Sequence, residues 1–199
     1  MKPKAVNWDL ITRETDSYDV YKMLDDLMAK FHQDIQGVII VIMWRHNLKI
    51  DVDGYVQLAD ISRTADKYRE LHEHDFILGL NKDTWSMLDD SEKRTVMDSQ
   101  LNRIAISTDQ DGEPKEDDRS RTVYRTKKEQ VTLADNESTL TRRHGHSMAE
   151  IQNKVASKMK WAEGDDKEPM PEEVARTVEE ITGQVNTPPE NVTTSVTGA

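Results

Sequence analysis

The sequence predicts an α+β domain over residues 16–160, flanked by a lead-in at 1–15 and an acidic tail at 161–199. Three observations carry this. Apolar residues recur at helical spacing over 16–35. Two short apolar runs, 38–44 and 75–80, have the length and β-branched content of buried strands. The polar excess is concentrated in the tail. The chain has 199 residues, 35% hydrophobic and 33% charged, with a formal net charge of -11. Its mean hydropathy is -0.80. A globular domain is about 45–50% apolar and about 25% charged, so the whole chain is too polar to be globular end to end. Residues 162–199 hold nine acids, two bases and four of the six prolines. This composition predicts disorder, with a short helix over 171–182 that Pro171 opens. The other 161 residues are nearly balanced in charge, with 29 acids and 25 bases.

In the predicted helix at 16–35, Tyr21, Leu24, Met28, Phe31 and Ile35 share a face. Asp16 or Ser17 caps its start and Gly37 ends it. The run Val38–Trp44 follows as a strand. Asp53-Gly54 signals a turn in 49–61, between further strands or within one hairpin on the sheet edge, and Asp75–Leu80 is the next strand. Asp89-Asp90-Ser91-Glu92 opens a helix at about 91–105, with Val96, Met97, Leu101 and Ile104 on one face. Residues 107–120 are a polar loop or disordered insert, and 121–126 a short strand. Gly145 separates two further helices, the second from Ser147 to Trp161. Trp44, Trp85 and Met97 are expected in the core, whereas Trp8 and Trp161 are either docking anchors or exposed.

No run of 18 apolar residues exists, which excludes a membrane-spanning helix, and the N-terminus lacks the apolar core of a signal peptide. With no cysteine, disulfides, thiol catalysis and thiolate metal ligands are excluded. Net negative charge disfavours binding to nucleic acid phosphates. The run Arg142-Arg143-His144 forms at most a small basic patch. Asp51-Val52-Asp53-Gly54 and Asp109-Gln110-Asp111-Gly112 begin like calcium loops. Each has a serine at the twelfth position, Ser62 and Ser120, instead of the bidentate Glu, so both are expected to be turns. Asn191-Val192-Thr193 is a glycosylation sequon only in a secreted chain.

The order of elements, with Asp75-Phe76-Ile77, Leu80-Asn81-Lys82-Asp83-Thr84-Trp85, Leu88, Val96-Met97-Asp98 and Arg143-His144-Gly145, resembles the phage metallopeptidase family. That group is zincin-like, and the resemblance covers roughly residues 16–150. It implies a zincin-like fold of a small sheet with packed helices, a phage or prophage source, and a His-Glu-x-x-His motif after Asp98. Two imidazoles at i and i+4 share a helix face and ligate one zinc, and the Glu activates the zinc-bound water. Here those positions read Ser99-Gln100-Leu101-Asn102-Arg103. Ser99 is a poor ligand. Gln100 cannot take a proton. Arg103 is a fixed cation that repels a metal. A third metal-binding element implied before Arg143-His144-Gly145 falls on 132–137, where only Asp135 and Glu137 offer carboxylates. An ion pair from Arg103 to either one would replace zinc as the link between helices.

The resulting expectation is a metallopeptidase-like protein that has lost its site and binds a host or phage protein. No cofactor and no membrane are expected, and the location is the host cytoplasm or the virion. Two alternatives stand beside it. One is a zinc metallohydrolase with relocated ligands drawn from His72, His74, His144, Asp135 or Glu137. His72 and His74 share one side of an extended chain, and His144 and His146 flank Gly145. The other is a phage structural or morphogenesis accessory protein.

Overall fold

A computed structural model describes residues 7–46, 50, 51, 53–127 and 129–163, with side chains for all of these except 129–135 and 160–163. The tail beyond 163, its expected helix and Asn191 lie outside the described residues, as does the side chain of Trp161.

The fold is α+β. Four strands form a mixed sheet in the order β1-β2-β4-β3. They are β1 (Asn7–Ile11), β2 (Ile40–His46), β3 (Ala59–Arg63) and β4 (Phe76–Asn81). β2 and β4 run parallel at the centre, and β1 and β3 are antiparallel edges. Ile40, Ile42, Trp44, Phe76, Leu78 and Leu80 point to one face and are buried there, as the alternation of a strand requires. Strand β1 departs from expectation, because the lead-in predicted at 1–15 contributes an edge strand. Its sequence NWDLI shows little of the pattern of a strand. Only Ile11 is buried, and the pairing partner β2 carries the apolar signal.

Helix α1 (Val20–Phe31) follows. Asp19 begins it in a left-handed conformation without a side-chain cap. Asp16 supplies the cap from upstream, its carboxylate accepting the Tyr21 N–H at 2.8 Å. The Tyr21 hydroxyl then closes the end of the β1–β2 ladder. It donates to the Ile11 carbonyl at 2.9 Å and accepts the Ile42 N–H at 3.2 Å. A 3-10 turn, Gln33–Ile35, ends the region predicted as one helix.

Helix α2 (Asp66–His72) joins β3 to β4, and the four-residue α3 (Lys82–Trp85) leads to α4 (Asp90–Leu101). A reciprocal capping box starts α4. The Asp89 carboxylate accepts the Glu92 N–H, and the Glu92 carboxylate accepts the Asp89 N–H, both at 2.9 Å. This box satisfies two of the orphan donors of a helix start. Lys154 of α6 (Met148–Glu163) pairs with the same Glu92 at 2.5 Å. Helix α4 ends earlier than predicted, because Ile104–Ile106 pairs as β5 with β6 (Tyr124–Thr126). Helix α5 (Glu129–His144) stops at Gly145, whose φ of 83° suits glycine. A second capping box opens α6, where Ser147 Oγ accepts the Glu150 N–H and Glu150 accepts the Ser147 N–H.

On the sheet face away from the core cluster, Arg45 lies over the Trp8 ring, 4.7 Å from its centroid, and pairs with Asp60. These side chains pass across Gly79 of β4. A Cβ there would sit 2.7 Å from Asp60 Oδ1 and 2.8 Å from Arg45 Cδ. Gly79→Ala is therefore expected to displace the Trp8–Arg45–Asp60 strap and to cost about 1–3 kcal/mol, read as a lower urea midpoint at unchanged slope. An unchanged midpoint would show that the strap moves aside freely.

Candidate functional site

Helix α4 carries the site. From Thr95 to Leu101 every residue is buried. The expected single apolar face is therefore too narrow an account. Helices α1 and α5 and strand β3 all pack around α4, so its polar side chains are enclosed as well. Trp44, Trp85 and Met97 are buried as predicted.

Ser99, Gln100 and Arg103 interact among themselves. Ser99 Oγ donates to the Val96 carbonyl at 2.9 Å and accepts Gln100 Nε2 at 3.2 Å. Gln100 Oε1 accepts Arg103 Nη1 at 3.1 Å. Of the two carboxylates expected opposite Arg103, Glu137 is engaged by α6. Glu137 accepts the Met148 N–H at 3.0 Å and so ties α5 to α6. The side chain of Asp135 lies outside the described residues. Among the described residues, helices α4 and α5 are joined by Asn102 Nδ2 donating to Asn136 Oδ1 at 2.8 Å, and by Asp98.

Asp98 is the hub of the site and is fully enclosed. Its Oδ1 accepts His32 Nε2 at 2.6 Å and its Oδ2 accepts His144 Nε2 at 2.8 Å. Arg143 Nη1 reaches both oxygens, at 3.0 and 3.1 Å. Burial raises the Asp98 carboxyl, but the hydrogen bonds from His32 and His144, with Arg143 beside them, outweigh it and hold the carboxyl below its ordinary value. An ionised carboxylate only accepts, so both imidazoles carry their proton on Nε2. The Phe31 ring backs the cluster, with the Arg143 guanidinium 4.4 Å over its centroid and the His144 ring edge-on at 5.8 Å. One carboxylate thus fastens the end of α1, the middle of α4 and the end of α5. A cleft of about 540 Å³ opens beside it, with Lys30, Ser91 and Arg94 on its walls.

Sequence reasoning named His144 as a relocated metal ligand and Arg142-Arg143-His144 as a basic patch. The structure corrects the second reading, since Arg143 and His144 turn inward onto Asp98 and only Arg142 is exposed. His72 and His74 stack on each other at 5.8 Å, away from the hub, at the exposed end of α2. Among the described residues no group of three or more His, Asp or Glu is placed to hold a metal ion, so the composite set of His72, His74 and His144 is not assembled. The calcium-like starts are turns. Asp51 Oδ1 accepts the N–H groups of Asp53 and Tyr55, and Asp109 Oδ1 those of Asp111 and Glu113. Sequence reasoning missed His32 and passed over Asp98 as a binding residue. The available signal was Asp98 itself, an acid between Met97 and Leu101 on a helix with few exposed positions.

The fold and site together define an α+β domain built around a buried, polar central helix that a carboxylate hub fastens to its neighbours. A model of the Putative phage metallopeptidase family matches residues 12–160, and the chain belongs to that family. Comparison with curated proteins and with solved structures gave no match. Among the described residues no helix is long and apolar enough to cross a membrane.

Proposed function

We propose that this chain is a non-hydrolytic member of its family, which keeps the metallopeptidase-like domain and acts by binding a protein of the host or phage, in the host cytoplasm or on the virion. The observation that carries this reading is the polar chain Ser99–Gln100–Arg103 on α4. At the positions where the family resemblance implies a zinc motif, the donors are a hydroxyl, an amide and a guanidinium. This set does not fit zinc. A guanidinium has no lone pair to give at any pH found in proteins, and an amide cannot accept the proton of a metal-bound water. Among the described residues, the imidazoles of His32 and His144 spend their Nε2 atoms on the Asp98 carboxylate. The retained hub supports a scaffold role, since it holds three helices together through the chain's own side chains.

The test is metal content by mass spectrometry on full-length protein purified without a histidine tag or chelator, followed by a peptide-hydrolysis screen. The expected result is no stoichiometric zinc, a cooperative unfolding transition that a chelator does not shift, and no hydrolysis. About one zinc per chain, or hydrolysis that a chelator abolishes, would overturn the reading.

A further inference from the structure

Residues 107–123 leave β5 and return to β6 as a narrow arm. The arm folds on itself. Ser107 N–H donates to the Val123 carbonyl, Val123 N–H to that of Lys115, and Lys115 N–H to that of Ser107, each at 2.8 Å. Asp109 and Asp117 close its two turns by accepting backbone N–H groups. No side chain from 107 to 123 is buried, and the first buried residue at its root is Tyr124. Apolar packing therefore does not dock the arm.

Charge docks it, in two layers. Arg69 of α2 is enclosed and uses all three nitrogens. Nε meets Asp75 at 2.6 Å, Nη1 meets Asp117 at 3.1 Å, and Nη2 donates to the Thr122 carbonyl at 2.8 Å. Outside it, Glu70 of α2 pairs with Arg119 at 2.5 Å and with Arg121 at 2.7 Å. Arg121 also grips Asp117 at 2.8 Å. The outer pairs are open to solvent, with 58% of the Arg119 side chain and 46% of that of Glu70 exposed. Exposed pairs are weak and are screened as salt rises, the Debye length falling from about 10 Å at 0.1 M to about 3 Å at 1 M. A cleft of about 480 Å³ lies between α2 and the arm, with Lys67 on one wall and Asp118 on the other.

We propose that residues 107–123 are a hinged arm, latched shut on α2 by Glu70 with Arg119 and Arg121, and that rising ionic strength opens the latch and widens the cleft. The hinge is the short β5–β6 ladder, where Tyr124 anchors the root. Opening also parts Arg69 from Asp117 and from the Thr122 carbonyl, enclosed contacts that salt screens less than the outer pairs.

Because the chain has no cysteine, two introduced cysteines can be spin-labelled uniquely. Leu71→Cys on α2 is 73% exposed, and Lys115→Cys lies mid-arm and exposed. Pulsed electron spin resonance on the full chain then reads the distance between them at about 50 mM and about 500 mM NaCl. The expected result is one narrow distribution at low salt that broadens and lengthens at high salt. Glu70→Gln in the same labelled background is expected to show the broad, long distribution already at low salt, with an unchanged far-ultraviolet dichroism spectrum. A narrow distribution that neither salt nor Glu70→Gln alters would overturn the latch. So would a distribution that is broad at low salt in the otherwise unmodified chain.

Discussion

Asp98→Asn is expected to destabilise the domain by about 3–5 kcal/mol, the usual cost of breaking a buried ion pair by removing one partner. The change keeps the size of the side chain and removes its charge. Arg143 then stands beside a neutral amide, and one of the two imidazole N–H donors, from His32 or His144, faces an NH₂ group in place of an acceptor. For a domain of this size the loss corresponds to roughly 10 °C in Tm, at about 2–4 °C per kcal/mol. Calorimetry with a matched urea titration reads it. A loss under about 1 kcal/mol, the range of an exposed pair, would mean that the cluster is solvated and that α1, α4 and α5 are held by apolar packing alone. His32→Ala is the second arm of the same test. It leaves Arg143 and His144 on the carboxylate, so its cost is expected to be smaller than that of Asp98→Asn.

The same carboxylate makes stability depend on pH. Its folded value lies below the ordinary 3.8, so the unfolded chain binds the proton more readily. The contribution is fully present above the unfolded value and is lost as pH falls through the folded one. Below about pH 4 the unmodified protein therefore loses stability more steeply than Asp98→Asn, which lacks the titrating group.

The elements that read clearly from sequence are those whose own residues carry the pattern. Val38–Trp44 and Asp75–Leu80 are apolar because these central strands bury one face in the core and half-bury the other, and α1 shows its period because one side meets the core. Strand β1 was not legible because an edge strand borrows its order from β2. The arm at 107–123 looked like a loop because its bonds are backbone ladders and Asp turns among exposed residues. The positions at 99, 100 and 103 were legible through a family spacing. The hub was not, since the partners of Asp98 lie 66, 45 and 46 residues away in the chain, a separation that no local period reports. The expectation from opposite charges was a pairing of Arg103 with Asp135 or Glu137; among the described residues the charged link between α4 and α5 lies at other positions. Asp98, Arg143 and His144 form it, joined by the neutral pair Asn102 and Asn136.

Trp85→Ala is expected to cost a further large amount, about 3–5 kcal/mol. A four-residue helix such as α3 has no stability of its own, because nucleating a helix costs more than one turn returns. It is held at its start by Asn81, whose Oδ1 accepts the Asp83 and Thr84 N–H groups. At its end Trp85 is 1% exposed and meets the Trp44 ring at 5.9 Å, inclined at 62°. Deleting the indole leaves a cavity beside Trp44, in the core between α3 and the sheet. Phenylalanine separates the two contributions of the indole. Trp85 Nε1 is buried and finds no hydrogen-bond partner among the described residues, so that N–H is a desolvated group without return. Trp85→Phe removes the orphaned donor while keeping most of the ring area, and is expected to cost less than half as much as Trp85→Ala in the same urea titration. Equal costs for the two substitutions would mean that the N–H is satisfied after all, and that Trp85 acts as a polar tie as well as a packing anchor.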